Sequence, residues 1–95
     1  MEEQKIERRL KKEIELIGGK ALKFVSPGMS GVPDRIVLLP GGKIIFVELK
    51  APGKNLSPIQ LFRKKEFDML GFKIWKIDSY KDIKDLIYYI EDMDY

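Results

Sequence analysis

Pro33-Asp34-Arg35-Ile36-Val37-Leu38-Leu39-Pro40-Gly41-Gly42-Lys43-Ile44-Ile45-Phe46-Val47-Glu48-Leu49-Lys50 is the stretch that decides the reading of this chain. Two apolar runs flank a Pro-Gly-Gly turn, the pattern of a β-hairpin with strands at 34–39 and 43–50. Side chains alternate along a strand, so Phe46, Glu48 and Lys50 share one face and Val47 and Leu49 the other. Strand 43–50 is otherwise nearly all apolar, which predicts a central strand buried on both sides. A carboxylate and an ammonium at the end of such a strand are costly unless paired or bound to a metal. The hairpin brings Asp34 opposite that end, close to Glu48 and Lys50. Two carboxylates and a main-chain carbonyl suit a hard cation that keeps some of its waters. A lysine beside them can hold or help deprotonate an attacking water. The same residues also read as a buried ion-pair cluster with no catalytic role.

Working outward, residues 2–17 read as a helix with Ile6, Leu10, Ile14 and Ile17 on one stripe, stopped by Gly18-Gly19. Residues 20–25 read as a short strand. Ser26 to Pro33 is a loop rich in Gly and Pro. After a loop over 51–56, Ser57 is a predicted N-cap, with Pro58 at the first helical position and Gln60 completing a capping box. That helix runs to about Leu70, and Gly71 follows it. Residues 72–77 make a fourth strand, and 80–93 a last helix with Ile83, Leu86, Ile87 and Ile90 on one face. The order is α-β-β-β-α-β-α. The unit 43–77 is expected to be a right-handed crossover joining parallel strands. The fold class is α/β, with a mixed sheet flanked by helices.

The 95 residues allow one small domain, 1–95, whose core is marginal for its size. At 44% hydrophobic and 35% charged residues the balance is that of a soluble globular chain. With no Cys and no His there is no disulfide frame, zinc-thiolate site, catalytic triad or imidazole acid–base pair. Any metal is therefore an oxygen-seeking cation such as Mg2+ or Mn2+. The apolar runs are too short to cross a bilayer, and no apolar stretch follows the N-terminus, so the expected location is the cytoplasm. The net charge of +3 is unevenly spread. Of 18 Lys/Arg only Lys84 lies in 82–95, whereas Asp82, Asp85, Glu91, Asp92 and Asp94 of the 15 Asp/Glu lie there. The basic body suits a polyanion such as nucleic acid.

Ile6-Glu7, Gly31-Val32-Pro33-Asp34-Arg35-Ile36, Phe46-Val47-Glu48-Leu49-Lys50 and Ser57-Pro58-x-Gln60 together resemble the VRR-NUC family of the PD-(D/E)xK nuclease superfamily. The resemblance covers essentially the whole chain, in the stand-alone form found in bacteria and phages. It implies a restriction-endonuclease-like fold and Mg2+- or Mn2+-dependent cleavage of DNA, with no small-molecule cofactor and no membrane partner. Similarity to archaeal Holliday junction resolvases implies a homodimer acting on branched DNA.

Carried onto this sequence, the resemblance makes Asp34, Glu48 and the Leu49 main-chain carbonyl metal ligands, and Lys50 the residue that orients the water. Gln60 would face the active site or the scissile phosphate, although the capping box explains it equally well. Glu7, in Glu7-Arg8-Arg9-Leu10, resembles a metal-site glutamate of the resolvases; Glu3 lies nearer the centre of the apolar stripe and competes with it. Both glutamates also read as ordinary solvated helix residues. Lys23, Ser26, Arg35, Lys54, Arg63 and Lys64 are the expected DNA contacts. For the loop and the basic helix face, the plain alternatives are a flexible connector and a solvated surface. Trp75 reads as core or dimer interface.

Overall fold

The computed structural model describes residues 2–93. Its elements are α1 (Glu3–Leu16), β1 (Lys20–Lys23), β2 (Arg35–Leu39), β3 (Lys43–Leu49), α2 (Pro58–Met69), β4 (Ile74–Ile77) and α3 (Tyr80–Asp92). The order is the expected one. The four strands form one mixed sheet in the order β1-β2-β3-β4, with β4 parallel to β3 and the other pairs antiparallel. Gly41 and Gly42 both take positive φ, 84° and 78°, which the tight turn between β2 and β3 requires. No helix of the described residues is long and apolar enough to cross a membrane.

The two faces of the sheet are covered unequally. On one, Val37, Leu39, Ile45, Val47, Leu49 and Ile77 pack against Ile6, Leu10 and Ile14 of α1 and Ile83, Leu86 and Ile90 of α3. Each such side chain contributes about 1.5–3 kcal/mol by leaving water. Trp75 belongs to this side, its ring 5.2 Å from that of Tyr89 on α3, which places it at the core. On the other face, Phe46 gathers Phe24, Phe67 and Phe72 at centroid distances of 5.5, 5.0 and 5.8 Å. α2 covers only that corner, so Leu22, Leu38 and Ile44 stay 45%, 37% and 40% exposed.

All four strands are shorter than the sequence suggests, β3 by the single residue Lys50. β1 ends at Lys23, although the Phe24 amide still donates to the Asp34 carbonyl at 2.9 Å. β2 begins at Arg35, leaving Asp34 just before it. β4 begins at Ile74, because Phe72 closes the turn after α2 by donating its amide to the Phe67 carbonyl at 2.9 Å.

Candidate active site

The site is built at the C-terminal end of β3. Arg35 pairs with Val47 in the antiparallel ladder, and one further step sets Asp34 opposite Glu48 on the same face. The two residues are laced together by backbone groups. The Leu49 amide donates to Asp34 Oδ1 at 3.3 Å, and the Asp34 amide donates to the Glu48 carboxylate. The Asp34 carbonyl accepts from Phe24 and from Arg35 Nη1, both at 2.9 Å. Asp34 is thus clamped through side chain and main chain.

Glu48 is only 7% exposed. Its Oε2 lies 3.8 Å from Lys50 Nζ and accepts a hydrogen bond from Gln60 Nε2 at 3.1 Å. Burial, and then the neighbouring Asp34 charge, push the Glu48 carboxyl up to about 7, against the opposing pull of Lys50. Burial likewise raises Asp34 above the usual carboxylate range, partly offset by the Leu49 amide. Two desolvated carboxylates that disfavour each other's charge are a donor set suited to a divalent cation. In a chain without His or Cys, the donor type selects an oxygen-seeking ion. Among the described residues no cluster of three acidic side chains gathers here, so the core of the site is the Asp34/Glu48 pair.

Gln60 closes the capping box of α2 and also reaches Glu48. Ser57 Oγ accepts the Gln60 amide at 3.3 Å, and Gln60 Oε1 accepts the Ser57 amide at 2.9 Å, closing the capping box. With the oxygen occupied there, the side-chain NH2 is turned toward Glu48.

The two first-helix glutamates are placed differently. Glu7 is ion-paired with the Arg35 guanidinium, and its charge bears on Asp34. The charge of Glu3 raises both Asp34 and Glu48. Arg35 corrects an expectation. It is 8% exposed, on the helix-covered face of β2, and its donors are spent on Glu7 and the Asp34 carbonyl instead of facing solvent for a phosphate. Alternation carries the signal for this, since Arg35 shares a face with Val37 and Leu39 and needs a partner from the covering helix.

The loop before Asp34 is pinned to α2. Arg63 Nε donates to the Ser30 carbonyl at 2.8 Å, and its Nη1 lies 3.3 Å from Glu66. Gly31, at φ 80°, packs so closely that a Cβ there would sit 2.9 Å from the Ile59 carbonyl oxygen. Arg63 therefore fastens the loop, a role its position in a basic run does not reveal. Ser26 turns the loop, its carbonyl accepting the Met29 amide at 3.1 Å. Lys23 is exposed on the edge strand beside Glu7 and Arg35, Lys54 is exposed in the 51–56 loop, and Lys64 lines a groove between α2 and β4.

No family sequence profile matches the chain. A solved structure described as a VRR_NUC domain superposes with a TM-score of 0.84 at 33% identity, covering 90% of this chain and 94% of that one. The chain belongs to the VRR-NUC family. It is also 53% identical over 77 residues to a protein named "Putative nuclease p44" of Acyrthosiphon pisum secondary endosymbiont phage 1, covering 81% of this chain and 83% of that protein. The VRR-NUC fold and the likeness to a phage protein named as a nuclease together make this chain a nuclease.

Proposed function

We propose that this VRR-NUC chain is a divalent-metal-dependent DNA endonuclease acting as a homodimer on branched DNA, such as a four-way junction. The observation that carries the reading is the convergence of Lys50, Gln60 and the Asp34 amide on one buried carboxylate, Glu48, whose charge is disfavoured in the ion-free protein. Asp34, Glu48 and the Leu49 main-chain carbonyl would hold Mg2+ or Mn2+. Of the first-helix glutamates, Glu3 is the better candidate to complete the set, since Glu7 is engaged by Arg35. When bound, the cation neutralises charge that builds on the phosphate.

The chain's own residues then divide the remaining work. Lys50 holds the attacking water for in-line approach to phosphorus as the P–O bond to the leaving strand breaks. Gln60 fixes the Glu48 carboxylate, and Arg35 with Glu7 holds the Asp34 backbone in register with it. Lys23, Lys54 and Lys64 remain exposed or groove-lining cations for backbone phosphates, which give affinity without sequence reading. A carboxylate pair would repel DNA if binding were the whole function, which weighs against a pure binding module.

The partly bare apolar strip of Leu22, Leu38 and Ile44 supports a second copy packing on that face. A dimer presents two active sites to two strands, as symmetric junction cleavage requires. The test is a panel of labelled four-way junction, flap and linear duplex with Mg2+, Mn2+ or EDTA. Metal-dependent paired cuts in the junction are expected. Preferential cutting of flap or duplex overturns the substrate assignment, and a monomeric mass by sedimentation overturns the dimer.

A further inference from the structure

A groove of about 840 Å³ runs between α2 and β4, and its cations do more than decorate a helix. It starts at the proposed active site. Leu56 and Ile74 line both this groove and the narrow notch formed by Glu48 and Gln60. In the parallel ladder Glu48 pairs with Lys76, so the two side chains rise from the same face of neighbouring strands. On α2, Lys64 stands four residues beyond Gln60, about 6 Å along the helix axis. Lys65 and Lys73 complete the rim, and Asp68 at the far end is the one carboxylate in the lining.

Lys76 is held by Asp78 at 3.3 Å. Lys64, Lys65 and Lys73 have no ion-pair partner among the described residues. Three uncompensated ammonium groups along a cleft whose floor includes apolar Leu56 and Ile74 match a strand with its phosphates on the rim and its sugars and bases over the floor. We propose that this groove is the track of one DNA strand as it leaves the scissile phosphate, with Lys64, Lys65 and Lys73 contacting its backbone and Lys76 marking the entrance.

The proposal rests on the nuclease reading, and the experiment separates the two. Fluorescence anisotropy with a labelled single-stranded oligonucleotide, in EDTA, measures binding without cleavage. A variant carrying Lys64→Gln, Lys65→Gln and Lys73→Gln is compared with a charge-matched variant carrying Arg8→Gln, Lys12→Gln and Lys84→Gln on α1 and α3. Each lost phosphate contact lowers the slope of log affinity against log salt by about 0.7 for a single strand. The groove variant is expected to lose about 2 units of slope and more than tenfold in affinity at low salt, and the matched variant under one unit. Thermal unfolding verifies that both variants fold, and the single Lys65→Gln change, at an exposed position, gives a smaller step of the same kind. Wild-type affinity in the groove variant, an equal loss in the matched one, or no single-strand binding by the wild type overturns the track. Cleavage by the wild type with Mg2+ or Mn2+ is scored separately, and its absence contradicts the nuclease reading while leaving the binding comparison intact.

Discussion

Gln60 Nε2 lies 3.1 Å from Glu48 Oε2 while Gln60 Oε1 accepts the Ser57 amide at 2.9 Å, so one side chain both caps α2 and orients the buried carboxylate. These roles separate by mutation. Ser57→Ala removes the N-cap oxygen alone and is expected to cost about 1 kcal/mol of stability. Gln60→Ala loses the return arm of the capping box together with the Glu48 contact. Activity is expected to fall at least tenfold in Gln60→Ala and to stay within about twofold of wild type in Ser57→Ala, by analogy with the loss of a positioned hydrogen-bonding group. Urea unfolding and initial cleavage rates on the same preparations test this, and equal activity loss in both variants would reduce Gln60 to a helix cap.

Much of this relationship was legible from residue order. The hairpin, the capping box and the alternation of β3 were sufficient to bring Asp34, Glu48 and Lys50 to one strand end. A basic side chain such as Arg35 or Arg63 counts as a surface charge until its partner is known. Glu7 and the Ser30 carbonyl, 28 and 33 residues away, were those partners. The choice between Glu3 and Glu7 turned on one helical turn of register, which the spacing of apolar residues does not resolve. The shortening of β4 came from the Phe72 amide bonding back to Phe67, a turn contact that strand propensity does not register.

The two first-helix glutamates are expected to respond in opposite ways. Glu7→Gln weakens the anchor of buried Arg35 and should cost about 1–2 kcal/mol. Glu3 is exposed, so Glu3→Gln should leave unfolding within about 0.5 kcal/mol of wild type. Its effect should appear as weaker Mn2+ binding by titration calorimetry. Unchanged Mn2+ affinity in Glu3→Gln would remove Glu3 from the site.

Gly31→Ala should be disruptive although the added group is one methyl. The residue sits at φ 80°, and its Cβ would meet Ile59 Cγ1 at 2.8 Å and the Ile59 carbonyl at 2.9 Å. The positive φ alone makes Ala unfavourable by more than about 1 kcal/mol, and the clash must lift the loop that leads to Asp34. A lower melting temperature and a cleavage rate well below that of Gly28→Ala, where a Cβ meets nothing within 4 Å, are expected. Equal behaviour of the two variants would show that the loop is not held against α2.

Glu48 makes ion-free stability depend on pH. Its carboxyl is raised from 4.5 to about 7, so the folded state binds this proton more tightly than the unfolded chain does. The associated stability is fully present below the unfolded value of 4.5 and is lost as pH climbs through about 7. Asp34, also raised, acts in the same direction. In EDTA the melting temperature of the wild type is expected to fall across that window more steeply than that of Glu48→Gln. Added Mn2+ should restore the loss at the upper end by binding the folded state. Parallel curves for the two proteins would mean that Glu48 is not strained in the ion-free fold.

The most direct test is cleavage of a labelled four-way junction by the wild type, Asp34→Asn and Lys50→Ala, each folded by thermal unfolding, with Mg2+, Mn2+ or EDTA. The expected result is cutting by the wild type with either metal, none in EDTA, and rates at least a hundredfold lower in both variants, by the general scale of losing an electrostatic or acid–base group. Cutting in EDTA, or undiminished cutting by Asp34→Asn, would contradict a site built on the Asp34/Glu48 pair.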